Sequence, residues 1–164
     1  MTMEKSKDPK AFVAFELSGW RANIAGYDGA FGSVSRQTVD VTLDAANVRG
    51  GMKILDVCTG PGMLVEGAMH CGAKAVGLDF SDEVIALARK RAPAGEFQQG
   101  DAQDLPFPDD SFDAVVCGYG VMHLPEPEIA LREMRRVVRP SGRIAISVWD
   151  STTPNNAFGM IYAA

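Results

Sequence analysis

From residue 53 to residue 149 the sequence alternates between short apolar runs and stretches with helical spacing, and few folds accommodate such a pattern. "KILDVC", "AKAVGLDF", "GEFQQGD", "FDAVVCGYG" and "RIAISVW" read as strands, the third having the weakest pattern. Between them, "GMLVEGAMHC", "DEVIALARKR" and "PEIALREMRRVVRPSG" read as helices. Ser81 is placed to cap the second helix, whose acids fall in its first turn and whose bases fall in its last, as the helix dipole favours. Gly72 closes the first helix, Pro127 stands near the start of the third, and Pro140-Ser141-Gly142 follows its end. Continuous apolar strands alternating with helices imply a parallel sheet covered on both faces. Right-handed crossovers then give an α/β, doubly wound, Rossmann-like and mostly parallel sheet of order 3-2-1-4-5, with a ligand crevice between strands 1 and 4.

The beginning of the chain is less regular. Residues 1–9 read as a tail, 10–25 as one or two amphipathic helices punctuated by Phe12, Phe15, Trp20 and Ile24, and "GYDGAFGS" at 26–33 as a loop. Val39, Leu43 and Ala46 place a further helix within 35–51, stopped by Gly50-Gly51. The chain thus divides into an N-terminal helical or lid segment (1–34), a ligand-binding α/β domain (35–152) and the start of a C-terminal segment (153–164). The last of these reads as a helix just beginning, so strand 5 would be a bare sheet edge. The expectation is a truncated chain that lacks C-terminal strands, or a partner, a second copy included, that covers the edge.

Composition removes several classes of function. A net charge of −5 with no long basic cluster gives no footprint for duplex nucleic acid. The start "MTMEKSKDPK" lacks the apolar core of a signal peptide, and no apolar run approaches the ~18 residues a membrane span needs. Cys58, Cys71 and Cys117 are an odd number without a CxxC pair, so reduced thiols and a cytoplasmic location are expected rather than a disulfide framework or a metal site.

The turn in "KILDVCTGPGMLVEGA" decides what kind of ligand the crevice takes. A dinucleotide fingerprint needs a third glycine, but counting from Gly60 and Gly62 that position is Val65. Counting from one step earlier puts Cys58 and Met63 at the first and third positions, and no Gly-Lys-Ser/Thr of a phosphate loop follows. Asp56 ends the strand close to where a pyrophosphate would lie, and like charges repel there. A ligand carrying an ammonium group suits that carboxylate better.

At this point a resemblance is plain. "ILDVCTGPG", "GLDFS", "GDAQDLPFPDDSFDAVVCGYGVMHL" and "ALREMRRVVRPSGRIAISVW" resemble, in order and spacing, the class I S-adenosylmethionine-dependent methyltransferases. They are most similar to the small-molecule group that includes the ubiquinone and menaquinone C-methylases. The resemblance covers roughly residues 50–150 and implies S-adenosylmethionine as cofactor, S-adenosylhomocysteine as product and a small-molecule methyl acceptor. It also implies roles for residues. Asp56, Cys58, Gly60 and Gly62 stand where the first strand and its turn hold the methionine end, the glycines admitting close backbone approach. Asp79, with Phe80 beside it, stands where an acid accepts from the ribose hydroxyls. Asp101 and the Ala102 N–H stand at the adenine position, and Cys117, Gly118 and Tyr119 end strand 4 beside the transferable methyl. Cys58 departs from the pattern, which commonly has glycine there. The family also continues past strand 5 with further strands that this sequence lacks.

Several residues admit two readings. His123 follows strand 4 near the substrate entrance, as a general base or as a structural histidine bonded to backbone. Tyr27, Trp20 and Phe31 are either an aromatic lid over the sulfonium or core packing. Asp79 also reads as a helix cap and Asp101 as a turn residue, while Arg132, Arg135, Arg136 and Arg139 read as a solvated helix face. A [DNS]-P-P-[YFW] motif of amino-methylating DNA enzymes is missing from "CGYG", and no carboxylate cluster for a catechol-type metal site is found. The rival to an enzyme is a noncatalytic cofactor-binding module that needs a partner or a longer chain.

Overall fold

The computed structural model describes residues 8–30 and 32–149, with the side chains of residues 24, 25 and 27–30 outside that description. The elements run α1 (Pro9–Ala30), α2 (Gly32–Gln37), α3 (Val39–Ala45), β1 (Lys53–Val57), α4 (Met63–His70), β2 (Lys74–Asp79), α5 (Asp82–Arg91), β3 (Glu96–Gln99), β4 (Phe112–Gly118), a single 3-10 turn (Val121–His123), α6 (Pro127–Val137) and β5 (Val138–Ser147). The sheet order is β3-β2-β1-β4-β5, every neighbouring pair parallel, as the alternation predicts.

Side chains alternate across a strand, so β1 feeds two cores at once. Ile54 joins Leu43, Val65, Ile85, Phe97 and Val116 in one buried cluster, beneath α3, α4 and α5. Leu55 and Val57 join Phe112, Val115, Met134 and Val137 in the other, beneath α6. Burying such side chains from both faces is worth about 1.5–3 kcal/mol each, which fixes the central strand firmly. Ser81 caps α5 as expected, its hydroxyl accepting the Val84 N–H at 3.3 Å. Among the described residues no helix is long and apolar enough to cross a membrane.

Three expectations are corrected. The stretch read as a loop at 26–33 continues α1 to Ala30 and then opens α2. Long-range ion pairs hold α1 in place: Arg21 reaches Glu83 at 2.6 Å and Asp82 at 3.6 Å on α5. The helix expected within 35–51 is split between α2 and α3 and ends at Ala45, with Asn47 turning the chain at φ +54°. The fifth strand starts at Val138 instead of 143. Its pairing jumps from Phe112↔Val138 to Ala114↔Arg143, so Pro140-Ser141-Gly142 forms a bulge rather than a helix-to-strand turn. A Cβ on Gly142 would lie 2.6 Å from the Asp113 carbonyl, so no larger residue fits this bulge.

Arg136 on α6 is not simply solvated. Arg136 donates to the Phe107 carbonyl at 2.7 Å, the Leu105 carbonyl at 2.9 Å and the Glu133 carboxylate at 2.6 Å, while Glu133 accepts the Leu105 N–H at 2.9 Å. This fork clamps the loop between β3 and β4. Lysine offers one point charge in place of the planar fork. Arg136→Lys is therefore expected to lower unfolding free energy by about 1–3 kcal/mol in urea denaturation; an unchanged midpoint would contradict the clamp.

Candidate functional site

The C-terminal ends of β1, β2, β4 and β5 open onto a cleft of about 810 Å³, its open mouth included, roofed by α1, α2 and α3. This is the switch point where the sheet order reverses, the usual ligand crevice of such sheets. Its floor begins with Asp56, 1% exposed. Thr59 Oγ1 donates to Asp56 Oδ2 at 2.6 Å, but Oδ1 is buried and accepts nothing. Burial pushes the Asp56 carboxyl up to about 7, resisted by Thr59 and helped by the nearby Asp79. A buried acceptor without a donor is costly unless a ligand supplies one.

Gly60 follows at φ +54°, with open space where a side chain would stand. Its N–H donates to Asp79 Oδ2 at 2.9 Å, and the Ser81 N–H donates to Asp79 Oδ1 at 3.2 Å. Asp79 therefore braces the turn and the start of α5 while facing the cleft. Burial again pushes its carboxyl up, against these backbone donors. Four lone-pair positions leave room for further donors, such as a diol.

Two residues at the cleft hold left-handed backbone without being glycine, Cys58 at φ +58° and Tyr119 at φ +57°. Such conformations cost about 1–3 kcal/mol each and gather at functional sites. Cys58 lines the cleft, and its thiol lies close to that of Cys117, which is fully buried below. The neighbouring Cys117 thiol, with burial, pushes the Cys58 thiol up, so the pair forms a neutral sulfur floor rather than a nucleophile. Gly120 is required beside it, because a Cβ there would come within 2.4 Å of Cys58 Cβ. The Tyr119 ring stacks on Trp149 at 4.0 Å.

Of the residues singled out from sequence, the cleft is lined by Asp56, Cys58, Gly60, Asp79, Phe80, Gly118, Tyr119, His123 and Trp20. Gly62 does not line it. Its φ of +83° and contacts of 3.1 Å from a would-be Cβ to Phe97 tie this glycine to packing behind the turn. Asp101 is exposed and its carboxylate accepts the Gln103 N–H at 2.8 Å, while Ala102 is buried; both follow β3, and neither lines the cleft. The side chain of Tyr27, and Phe31 altogether, lie outside the described residues. Sequence reasoning missed Thr59 and Ser147, whose Oγ is buried, partnerless and at the cleft wall. Counting one residue past each strand end finds the former, but the apolar pattern runs strand 5 on to residue 149 and hides the latter.

The raised Asp56 group has a consequence for stability. Between its ordinary value of 3.8 and about 7 the folded state keeps a proton that the unfolded chain has lost. The contribution of this group to stability is thus fully present below the unfolded value and is lost as pH rises through about 7. Relative to Asp56→Asn, the ligand-free wild type should lose thermal stability from about pH 5 to pH 8. Parallel melting profiles would contradict the assignment.

Residues 55–146 match the methyltransferase-domain family. The demethylmenaquinone methyltransferase of Bacillus velezensis is 40% identical over 155 residues, covering 87% of this chain and 64% of the relative. The phosphatidylethanolamine N-methyltransferase of Cereibacter sphaeroides is 40% identical over 126 residues, covering 73% and 61% respectively. This chain spans 42–64% of the length of such curated relatives. The solved structure of a SAM-dependent methyltransferase from Aquifex aeolicus shares the fold, with TM-score 0.71 over 83% of this chain and 76% of that one, at 22% identity. By its sheet order, its motifs in register and the family match, this chain belongs to the methyltransferase-domain family, among the class I S-adenosylmethionine-dependent methyltransferases.

Proposed function

We propose that the cleft binds S-adenosylmethionine and that the protein containing this chain transfers its methyl group to a small-molecule acceptor. The observation that carries the reading is the buried, partnerless Asp56 Oδ1 at the centre of the sheet's C-terminal edge. The residues present fit the group: a cation satisfies Asp56, and among the described residues no lysine or arginine lines the cleft to receive a phosphate. Asp56 would hold the ammonium, Asp79 the ribose hydroxyls, Asp101 and the Ala102 N–H the adenine, and Cys58, Gly60, Gly118 and Tyr119 the methionine chain. When bound, the cofactor supplies an electrophilic methyl on a sulfonium, taken by in-line displacement while sulfur keeps the electron pair. The chain's own work is then alignment and exclusion of water, which can lower a barrier by ~7–11 kcal/mol. Where the acceptor carries a proton to be lost, His123 at the cleft wall takes it.

The residues named as a lid at 1–34 support this reading through Trp20, which meets the His123 ring edge-on at 5.6 Å. The acceptors named for relatives, a quinone precursor and an amino-lipid, share an apolar body, and an acceptor of that kind is the first to try. A second reading rests on length: a chain spanning about half of its relatives is also suited to be a cofactor-binding module completed by further sequence.

Calorimetric titration with S-adenosylhomocysteine, with NADH as control, tests the site. Wild type should bind the former, and Asp79→Ala should lose about 1–3 kcal/mol of binding free energy. Tighter binding of NADH, or of neither ligand, would sink the proposal. Binding without conversion of any acceptor in a broad panel would favour the module.

A further inference from the structure

Glu16 and His123 are 107 residues apart in sequence, yet Glu16 Oε2 lies 2.9 Å from His123 Nδ1. The pair bridges α1 and the 3-10 turn after β4 at the cleft mouth, the Glu16 side chain being 16% exposed and that of His123 36%. Trp20, one helical turn beyond Glu16 on the same face of α1, packs its ring against the imidazole. Arg21 of the same helix pairs with Glu83 on α5, whose Val84 also lines the cleft.

A carboxylate only accepts hydrogen bonds, so Nδ1 must carry the proton of the neutral imidazole. Nε2 is then left with its lone pair bare, on a ring that lines the cleft. Free of such a partner, imidazole mostly keeps its proton on Nε2 and presents no lone pair there. The charged groups facing the ring are Glu16 from α1 and Asp79 from β2.

We propose that Glu16 is a positioning residue, which fixes His123 in the Nδ1–H tautomer so that Nε2 accepts the proton leaving the methyl acceptor. The inference rests on the methyl-transfer reading for its purpose, but its geometry does not. It also gives α1 a chemical role, because the base is competent only while the helix is docked. Closure of the cleft and readiness for proton transfer therefore coincide.

The full chain contains two histidines, so nitrogen-15 imidazole spectra, assigned with His70→Gln, read the tautomer directly. Wild-type neutral His123 should show a protonated Nδ1 and a bare Nε2, and Glu16→Ala should invert them. With any acceptor that must lose a proton, Glu16→Ala should lower kcat about 10- to 100-fold while S-adenosylhomocysteine affinity stays within about twofold. Glu16→Gln, which still accepts through its amide oxygen, should keep the tautomer and recover part of the rate. An Nε2–H tautomer in wild type, an unchanged tautomer in Glu16→Ala, or a cofactor affinity that falls in step with kcat overturns the proposal. The spectra decide the positioning role even where no acceptor is converted, so its failure is separable from failure of the methyl-transfer reading.

Discussion

Asp56 brings a carboxyl group into the interior, keeps one oxygen bonded to Thr59 and leaves the other without a donor. Burial resists its charge, and much of the neighbouring architecture bears on that tension. β1 can deliver it there because the strand is central, flanked by β2 and β4 and buried from both faces. Asp79, at the end of β2, adds a second buried carboxyl rather than a counter-charge. Two buried acids, with no lysine or arginine among the described residues lining the cleft, suit the proposed ligand, which brings a positive charge and several donors.

The strained positions around this pair belong to the same design. Cys58 and Tyr119 turn sharply at the ends of adjacent strands β1 and β4, in conformations that side chains seldom adopt. Their turns bend the chain away from the sheet and open the cleft, while the Cys58–Cys117 thiol contact and the Tyr119–Trp149 stack hold the bends. Glycine would be easier at residue 58. The cysteine instead contributes a neutral sulfur wall, soft and polarisable, beside the carboxylates.

Local chemistry makes much of this legible. Strand order, the capping Ser81, the span of α5 and the clustering of Asp56, Gly60, Asp79 and Tyr119 follow from apolar runs, turn residues and strand ends. The failures share a cause: tertiary contacts outweigh local signals. Glycines at 26–33 argue for a loop, yet α1 and α2 are helical there, and Arg21 of α1 pairs with Glu83 on a helix distant in sequence. Pro140-Ser141-Gly142 looks like a terminator but is absorbed as a bulge, because Phe112 finds Val138 as its pairing partner. A Cβ at Gly62 would meet Phe97 and Ala88, a packing demand on this glycine that the sequence does not reveal. Glu16 carries no signal at all, since only the folded chain brings it to His123.

Asp56 stands at the centre, a buried acid whose carboxyl burial pushes up to about 7 and which the proposed ligand's ammonium would pair with. The most direct test is the proton count of S-adenosylhomocysteine binding, measured calorimetrically in buffers of different ionisation enthalpy. Pairing with the ligand's ammonium should draw the Asp56 group down, so binding near pH 6 should release a proton and binding near pH 9 should not, with Asp56→Asn abolishing the release. Binding without proton release near pH 6, or release that persists in Asp56→Asn, would contradict the account.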